Sequence, residues 1–158
     1  MLAPPWQPAG TQGAQVEPTT GNTRPKASFG LRFGASLIDG IILGVVSTIL
    51  RLLVVDALAQ WVGVVIGLVY FVYLEGSDAG QTLGKKVVGI RVVDLAGAGP
   101  IGFGRATVRY FGRIVSAIPL GLGYLWMLWD DQKQTWHDKF ASSMVVAVSD
   151  YPIGNDAG

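Results

Sequence analysis

A carboxylate inside an apolar helix needs a partner, a proton or water, and this chain carries one at Asp39. The 18 residues from Phe33 to Leu50 hold no other ionisable side chain. Left ionised in hydrocarbon, such a group costs at least about 2.5–3.5 kcal/mol. Three chemistries therefore fit Asp39: a proton site, a monovalent-cation site, or one half of a buried ion pair. Arg32 lies on the same helical face, about 10 Å along the axis, but its side chain leans toward the helix N-terminus and the headgroups, away from Asp39. Arg109 and Arg113 are the better partners. With Arg105 they recur at i, i+4 and i+8, one face of a second helix. A structural pair that fixes helix assembly outweighs a carrier role for Asp39.

The remaining candidates for chemistry are few. His137 and Asp138 are adjacent and resemble a general-base pair, but neighbours at a membrane edge serve more often as a helix cap or an interface anchor. The chain has no Cys and one His, which leaves no thiol chemistry and no ligand set for zinc. The Gly97–Gly104 stretch lacks the pattern of a phosphate loop, and no dinucleotide fingerprint or catalytic triad is present. A net charge of +1 supplies no basic field for nucleic acid. We expect no catalytic activity, no cofactor, no bound metal and no nucleic-acid partner.

The elements that must position these residues are membrane elements. Charged residues make up 15% of the chain against about 25% in soluble domains, and the deficit is local. The run from Phe33 to Leu50 and the run from Ala57 to Leu74 each contain 18 residues, roughly 27 Å of helix, close to the thickness of a hydrocarbon core. Neither shows the polar stripe of a soluble helix. The first span is expected from Phe33 to about Val55 and the second from Ala57 to Leu74, with a turn at Asp56. Trp61 at one end of the second span, and Tyr70 and Tyr73 at the other, match aromatic belts. Arg24, Lys26 and Arg32 precede the pair, Lys85, Lys86 and Arg91 follow it, and Arg51 alone lies between. The positive-inside rule then places the N-terminus in the cytoplasm.

Beyond the spans, Val87–Val93 is β-branched and reads as a surface strand, followed by a turn at Gly97-Ala98-Gly99-Pro100. A helix resumes at Arg105 and leads into Ile114–Trp129, an apolar segment broken by Pro119, Gly121 and Gly123. It either completes a third span or enters the membrane and returns. An internal echo favours the return: Asp78-x-x-Gln81-Thr82-x-x-x-Lys86 recurs, 53 residues later, as Asp131-x-x-Gln134-Thr135-x-x-x-Lys139. A strand at Ser143–Val148 would then pair with Val87–Val93 on one side of the membrane. On the spans, Ser36, Gly40, Gly44 and Thr48 form a small-residue stripe, and Gly63 with Gly67 repeats the theme. Packing of one span on the other is the default expectation for such stripes, and self-association the alternative.

Four pieces in order resemble the RDD family of small integral membrane proteins: Arg32-Phe33-Gly34-Ala35-Ser36-Leu37-Ile38-Asp39, Gly80-Gln81-Thr82-Leu83-Gly84-Lys85, Gly89-Ile90-Arg91-Val92-Val93-Asp94 and Gln134-Thr135-Trp136-His137-Asp138-Lys139-Phe140-Ala141. The likeness covers roughly residues 28–149. It implies that Arg32, Asp39 and Asp138 are the signature Arg and two Asp residues, with Asp130 and Asp131 as rivals for the last. It brings no settled activity; transport of monovalent cations has been suggested. The expected fold is an all-α membrane protein with two transmembrane helices, a third Pro/Gly-broken segment and short surface strands. Residues 1–26, rich in Pro, Gly and Thr, are expected to be a disordered cytoplasmic tail, residues 27–150 the membrane domain, and 151–158 a loose end. We expect a multi-pass cell-membrane protein in contact with the lipid bilayer and with a second copy or another membrane protein. Its expected role is an accessory or assembly module; the alternative is an oligomeric monovalent-cation or proton transporter using Asp39.

Overall fold

A computed structural model describes residues 25–97 and 99–150. The tail expected over 1–26, except Pro25 and Lys26, and the loose end expected over 151–158 lie outside the described residues, as do Arg24 and Ala98.

Helix α1, Phe29–Leu53, begins where extended Ser28 turns its hydroxyl to accept from the Leu31 N–H, satisfying one of the donors a helix start leaves open. Its 25 residues reach about 38 Å. Helix α2, Asp56–Gly76, follows after Val54 and Val55, and Asp56 in its first turn suits the positive end of the helix dipole. Both helices are long and apolar enough to cross a membrane. Their ends depart from the sequence expectation: α1 starts before Phe33, and α2 runs past Leu74 to take in Glu75.

Helix α3, Leu83–Val88, and strand β1, Ile90–Asp94, come next. The expected strand over Val87–Val93 is thus shorter and later. Thr82 accepts from the Lys85 N–H at the start of α3, and Gly89 at φ 71° ends it, so local helix signals prevail over the β preference of Val87 and Val88. β1 pairs antiparallel with β2, Ser143–Ala147, with Val92 opposite Val145 and Ile90 opposite Ala147. Lys26 adds a bridge to Val146, and the Ala27 N–H donates to the Val145 carbonyl at 2.9 Å. Lys26 therefore belongs to the fold rather than to the tail. Ala27, Ala35, Ile90, Val92, Ala106 and Val145 form one buried cluster; Val93, Met144 and Val146 form a second.

Helix α4, Gly102–Ala117, runs antiparallel to α2. Phe103 lies against Gly76, Arg113 reaches Glu75, and the Tyr110 hydroxyl donates to the Val64 carbonyl at 3.3 Å. At Pro119–Gly121 the chain turns. Pro119 has no N–H to continue the ladder, Leu120 and Gly121 take φ of 52° and 77°, and α5, Leu122–Leu125, with the 3-10 turn Trp126–Leu128 leaves at 112° to α4. The limbs touch, since a Cβ on Gly123 would sit 2.6 Å from Ser116. The tip carries Ile118 and Leu120, 75% and 96% exposed. A last short helix, α6, Trp136–Phe140, packs on α4 and leads into β2. Since β1 and β2 are hydrogen-bonded, both ends of the bent segment return to one small sheet.

Candidate functional site: a buried ion cluster

Asp39 does not meet either arginine. Its Oδ1 accepts from the Tyr70 hydroxyl and the Gly84 N–H, both at 2.7 Å, and its Oδ2 from the Thr82 hydroxyl at 2.6 Å. The expected Asp39–Arg109 or Asp39–Arg113 pair is therefore corrected: Asp39 joins α1 to the start of α3 through hydrogen bonds, and the arginines are drawn to other carboxylates. Close approach makes this possible. A Cβ on Gly84 would lie 2.2 Å from the Ala35 carbonyl oxygen, so the residue facing Asp39 has to be glycine. Tyr70, an aromatic-belt residue by sequence, also accepts from the Leu83 N–H at 3.1 Å and acts as a polar bridge.

The carboxylate that takes the arginines is Glu75, at the last turn of α2. Glu75 is fully buried and pairs with Lys85, with Arg109 through Nε at 3.1 Å, and with Arg113. Arg113 also stacks over the Phe71 ring, 4.2 Å from its centroid, a favourable place for a cation. Arg109, 1% exposed, extends its other side to Asp138 and, at 2.6 Å, to the Ser143 hydroxyl. Asp138 is also held by Arg32 at 2.5 Å and by the Thr135 N–H at 3.1 Å. Arg32 thus points into the protein rather than to the headgroups, donating as well to the Lys133 carbonyl at 3.0 Å.

One connected cluster results, in which Arg32, Lys85, Arg109 and Arg113 face Glu75 and Asp138. Burial opposes the charged form of Asp138, but Arg109 and Arg32, with the Thr135 N–H, outweigh it and hold the carboxyl well below its ordinary value. Burial pushes the Lys85 ammonium down to about 8 against the attraction of Glu75. His137 is kept neutral by burial, with Thr135 Oγ1 at 3.0 Å from Nε2 and Ser116 Oγ at 3.4 Å from Nδ1. These contacts make it a packed core residue, and its neighbour Asp138 reaches back to the helix start as a cap. Among the rivals for the second signature Asp, Asp130 pairs with Lys139 and Asp131 is exposed. The third residue of the arginine stripe, Arg105, pairs with Asp94 in a half-exposed position.

The small-residue stripe also needs correction. Ser36, Gly40, Gly44 and Thr48 are exposed, and a Cβ on Gly40 or Gly44 would meet nothing within 4 Å. They do not pack on α2; α1 turns Ala35, Asp39 and Ser47 inward instead. Gly63 faces the Ser47 hydroxyl and Gly67 the Tyr110 hydroxyl, each at 3.6 Å from an added Cβ, so α2 packs on both α1 and α4. Three members of the site escape a reading by sequence alone, Glu75, Lys85 and Ser143. Glu75 does carry a signal, as the first acid after an uncharged apolar run and ahead of a helix with arginines four apart. Ser143 carries none.

Chemically, each carboxylate here is surrounded by donors, and among the described residues no group of acidic or histidine side chains is arranged to hold a metal ion. The features together define a helical membrane protein with at least two spans whose polar segments gather on one buried ion cluster. The chain belongs to the RDD family, which it matches over residues 26–142. It is 35% identical over 97 residues to a protein named proline-rich antigen homolog in Mycobacterium tuberculosis, covering 60% of this chain and 40% of that one. The proline-rich antigen of Mycobacterium leprae is 32% identical over the same length. This chain thus spans about two fifths of the mycobacterial relatives it matches. A Bacillus subtilis protein, the uncharacterized protein YxaI, is 30% identical over 147 residues, covering 76% of this chain and 96% of the relative. No solved structure matches the chain.

Proposed function

We propose that the chain is an accessory or assembly module of the cell membrane, acting on a membrane partner or on a second copy, with its N-terminus in the cytoplasm and no catalytic step of its own. The observation that carries this reading is the bonding of Asp39. Three donors already engage both oxygens of its carboxylate, whereas a bound cation needs oxygen acceptors turned toward it. A transport role would require Asp39 to release those donors and the contacts that join α1 to α3. The exposed stripe of Ser36, Gly40 and Gly44 supports the same reading, because small faces let a further helix approach closely in lipid. Arg32, Lys85, Lys86 and Arg105 lie at the cluster end and Arg51 at the other, which favours a cytoplasmic cluster.

The test combines association and flux. Cross-linking in native membranes should give a defined complex that Gly40→Leu and Gly44→Leu remove while leaving the melting temperature unchanged. Sodium, potassium or proton flux through proteoliposomes of the purified protein, abolished by Asp39→Asn, would contradict the proposal.

A further inference from the structure

We propose that the end of the α1–α2 hairpin remote from the ion cluster binds a phosphate group, presented in the first place by an anionic phospholipid, through Arg51, Gln60 and Ser47. A cavity of about 240 Å³ opens there between the helices, lined by Ser47, Arg51, Ala59, Gln60, Gly63 and Val64. Ser47 and Arg51 are four apart and share a face of α1. Gly63 opposite brings no side chain into the cavity; an added Cβ there would already touch the Ser47 hydroxyl, at 3.6 Å.

The surroundings make the polarity of this notch informative. Leu52, Leu53, Leu58 and Trp61 around it are exposed, as lipid-facing side chains would be. An acyl chain would leave the notch's polar groups without partners, at a cost in free energy. Arg51 has one long contact, its Nη2 to the Gln60 Oε1 at 3.4 Å, and pairs with no carboxylate among the described residues. It complements the C-terminal end of α1, yet a guanidinium has five N–H donors in a planar fork that matches phosphate oxygens. Arg51 lies about 3 Å of axis from the end of α1, with Trp61 nearby as an interfacial residue. That is headgroup depth.

The experiment uses delipidated full chain in detergent, with phosphatidylglycerol, phosphatidylcholine and inorganic phosphate as separate probes and native mass spectrometry as the readout. The wild type should retain phosphatidylglycerol over phosphatidylcholine. Arg51→Gln should lose about tenfold in apparent affinity, and Arg51→Lys should lose less. Ser47→Leu, which fills the cavity, and Gln60→Leu, which removes its amide, should weaken retention as well and give a second route if Arg51→Gln fails to fold. Inorganic phosphate that displaces the lipid identifies a soluble source of the same group; phosphate without effect identifies the lipid. Equal retention by the wild type and a folded Arg51→Gln, or equal retention of the two lipids by the wild type, overturns the proposal. Asp39→Asn should bind as the wild type does, which separates this test from that of the proposed function.

Discussion

The segments 81–94 and 134–147 use the same local design with opposite charge. In each, a Gln side chain donates to a carbonyl nine residues later, Gln81 to Ile90 at 2.9 Å and Gln134 to Ser143 at 2.8 Å. In each, Thr precedes a short helix and a five-residue strand follows. Val92 and Val145, equivalent by the 53-residue offset, sit opposite each other in the ribbon, so the copies are related by a local two-fold. The same offset superposes Lys85 on Asp138. Both are buried in the cluster, Lys85 on Glu75 and Asp138 on Arg109. The glycine that permits docking differs too: Gly84 lies on the short helix in the first copy, whereas in the second Gly112 on α4 makes room for His137. The Gln-Thr unit thus sets backbone geometry, while the helix it docks on, α1 with α2 or α4, sets the charge it must carry.

Making the copies alike in charge should have the largest effect. Asp138→Lys sets a new cation beside Arg109 and Arg32 where their carboxylate was, and loss of a buried partner alone costs about 3–5 kcal/mol; little monodisperse protein should survive size exclusion. Lys85→Met should be milder, because Glu75 keeps Arg109 and Arg113. If Lys85→Met is as damaging as Asp138→Lys, the two positions are not distinguished by their surroundings as described.

Acid should act on the second copy through His137 and Asp138. The Asp138 carboxyl is held below its ordinary value of 3.8 and the His137 imidazole below 6.5. Each shift means that the unfolded chain takes up a proton the fold refuses, so each contributes stability at higher pH that is lost on acidification. The melting temperature should fall gently below pH 6.5 and more steeply below 3.8. His137→Gln should remove the first limb and Asp138→Asn should shrink the second, to which Asp94 and Asp130 also contribute; an unaltered profile in both would break the link to this copy.

The smallest expected effect separates the two docking glycines. Gly84→Ala forces a Cβ to 2.2 Å from the Ala35 carbonyl oxygen, whereas the closest atom to an added Cβ on Gly112 is the His137 Cβ at 3.0 Å. Gly84→Ala should cost about 1–3 kcal/mol, as overpacking does, and Gly112→Ala less, read from melting in one detergent.

The spans, the Gln-Thr echo and the strand pairing are legible in the sequence because each rests on a local period or spacing. The ion pairs are not. Helical spacing correctly puts Arg109 and Arg113 on one face, but the choice between Asp39 and Glu75 depends on where α4 crosses α2, which no spacing encodes. The stripe at Gly40 and Gly44 misleads for a related reason: in lipid, small residues permit close packing without specifying which helix approaches, and α1 turns Ala35 and Asp39 inward instead. Arg32 and Asp138 are nameable only through the family likeness; their mutual pairing needs the fold.

We expect all segments that meet at the ion cluster to lie on one side of the membrane, with residues 102–128 entering and returning. Fusions after Asp150 test this most directly, with fusions at Asp56 as the opposite control. A fluorescent protein after Asp150 should be bright and alkaline phosphatase there inactive, with the reverse at Asp56. Phosphatase activity after Asp150 would mean that residues 102–128 cross the membrane once, which would separate β1 from β2 and Arg32 from Asp138 and contradict that arrangement.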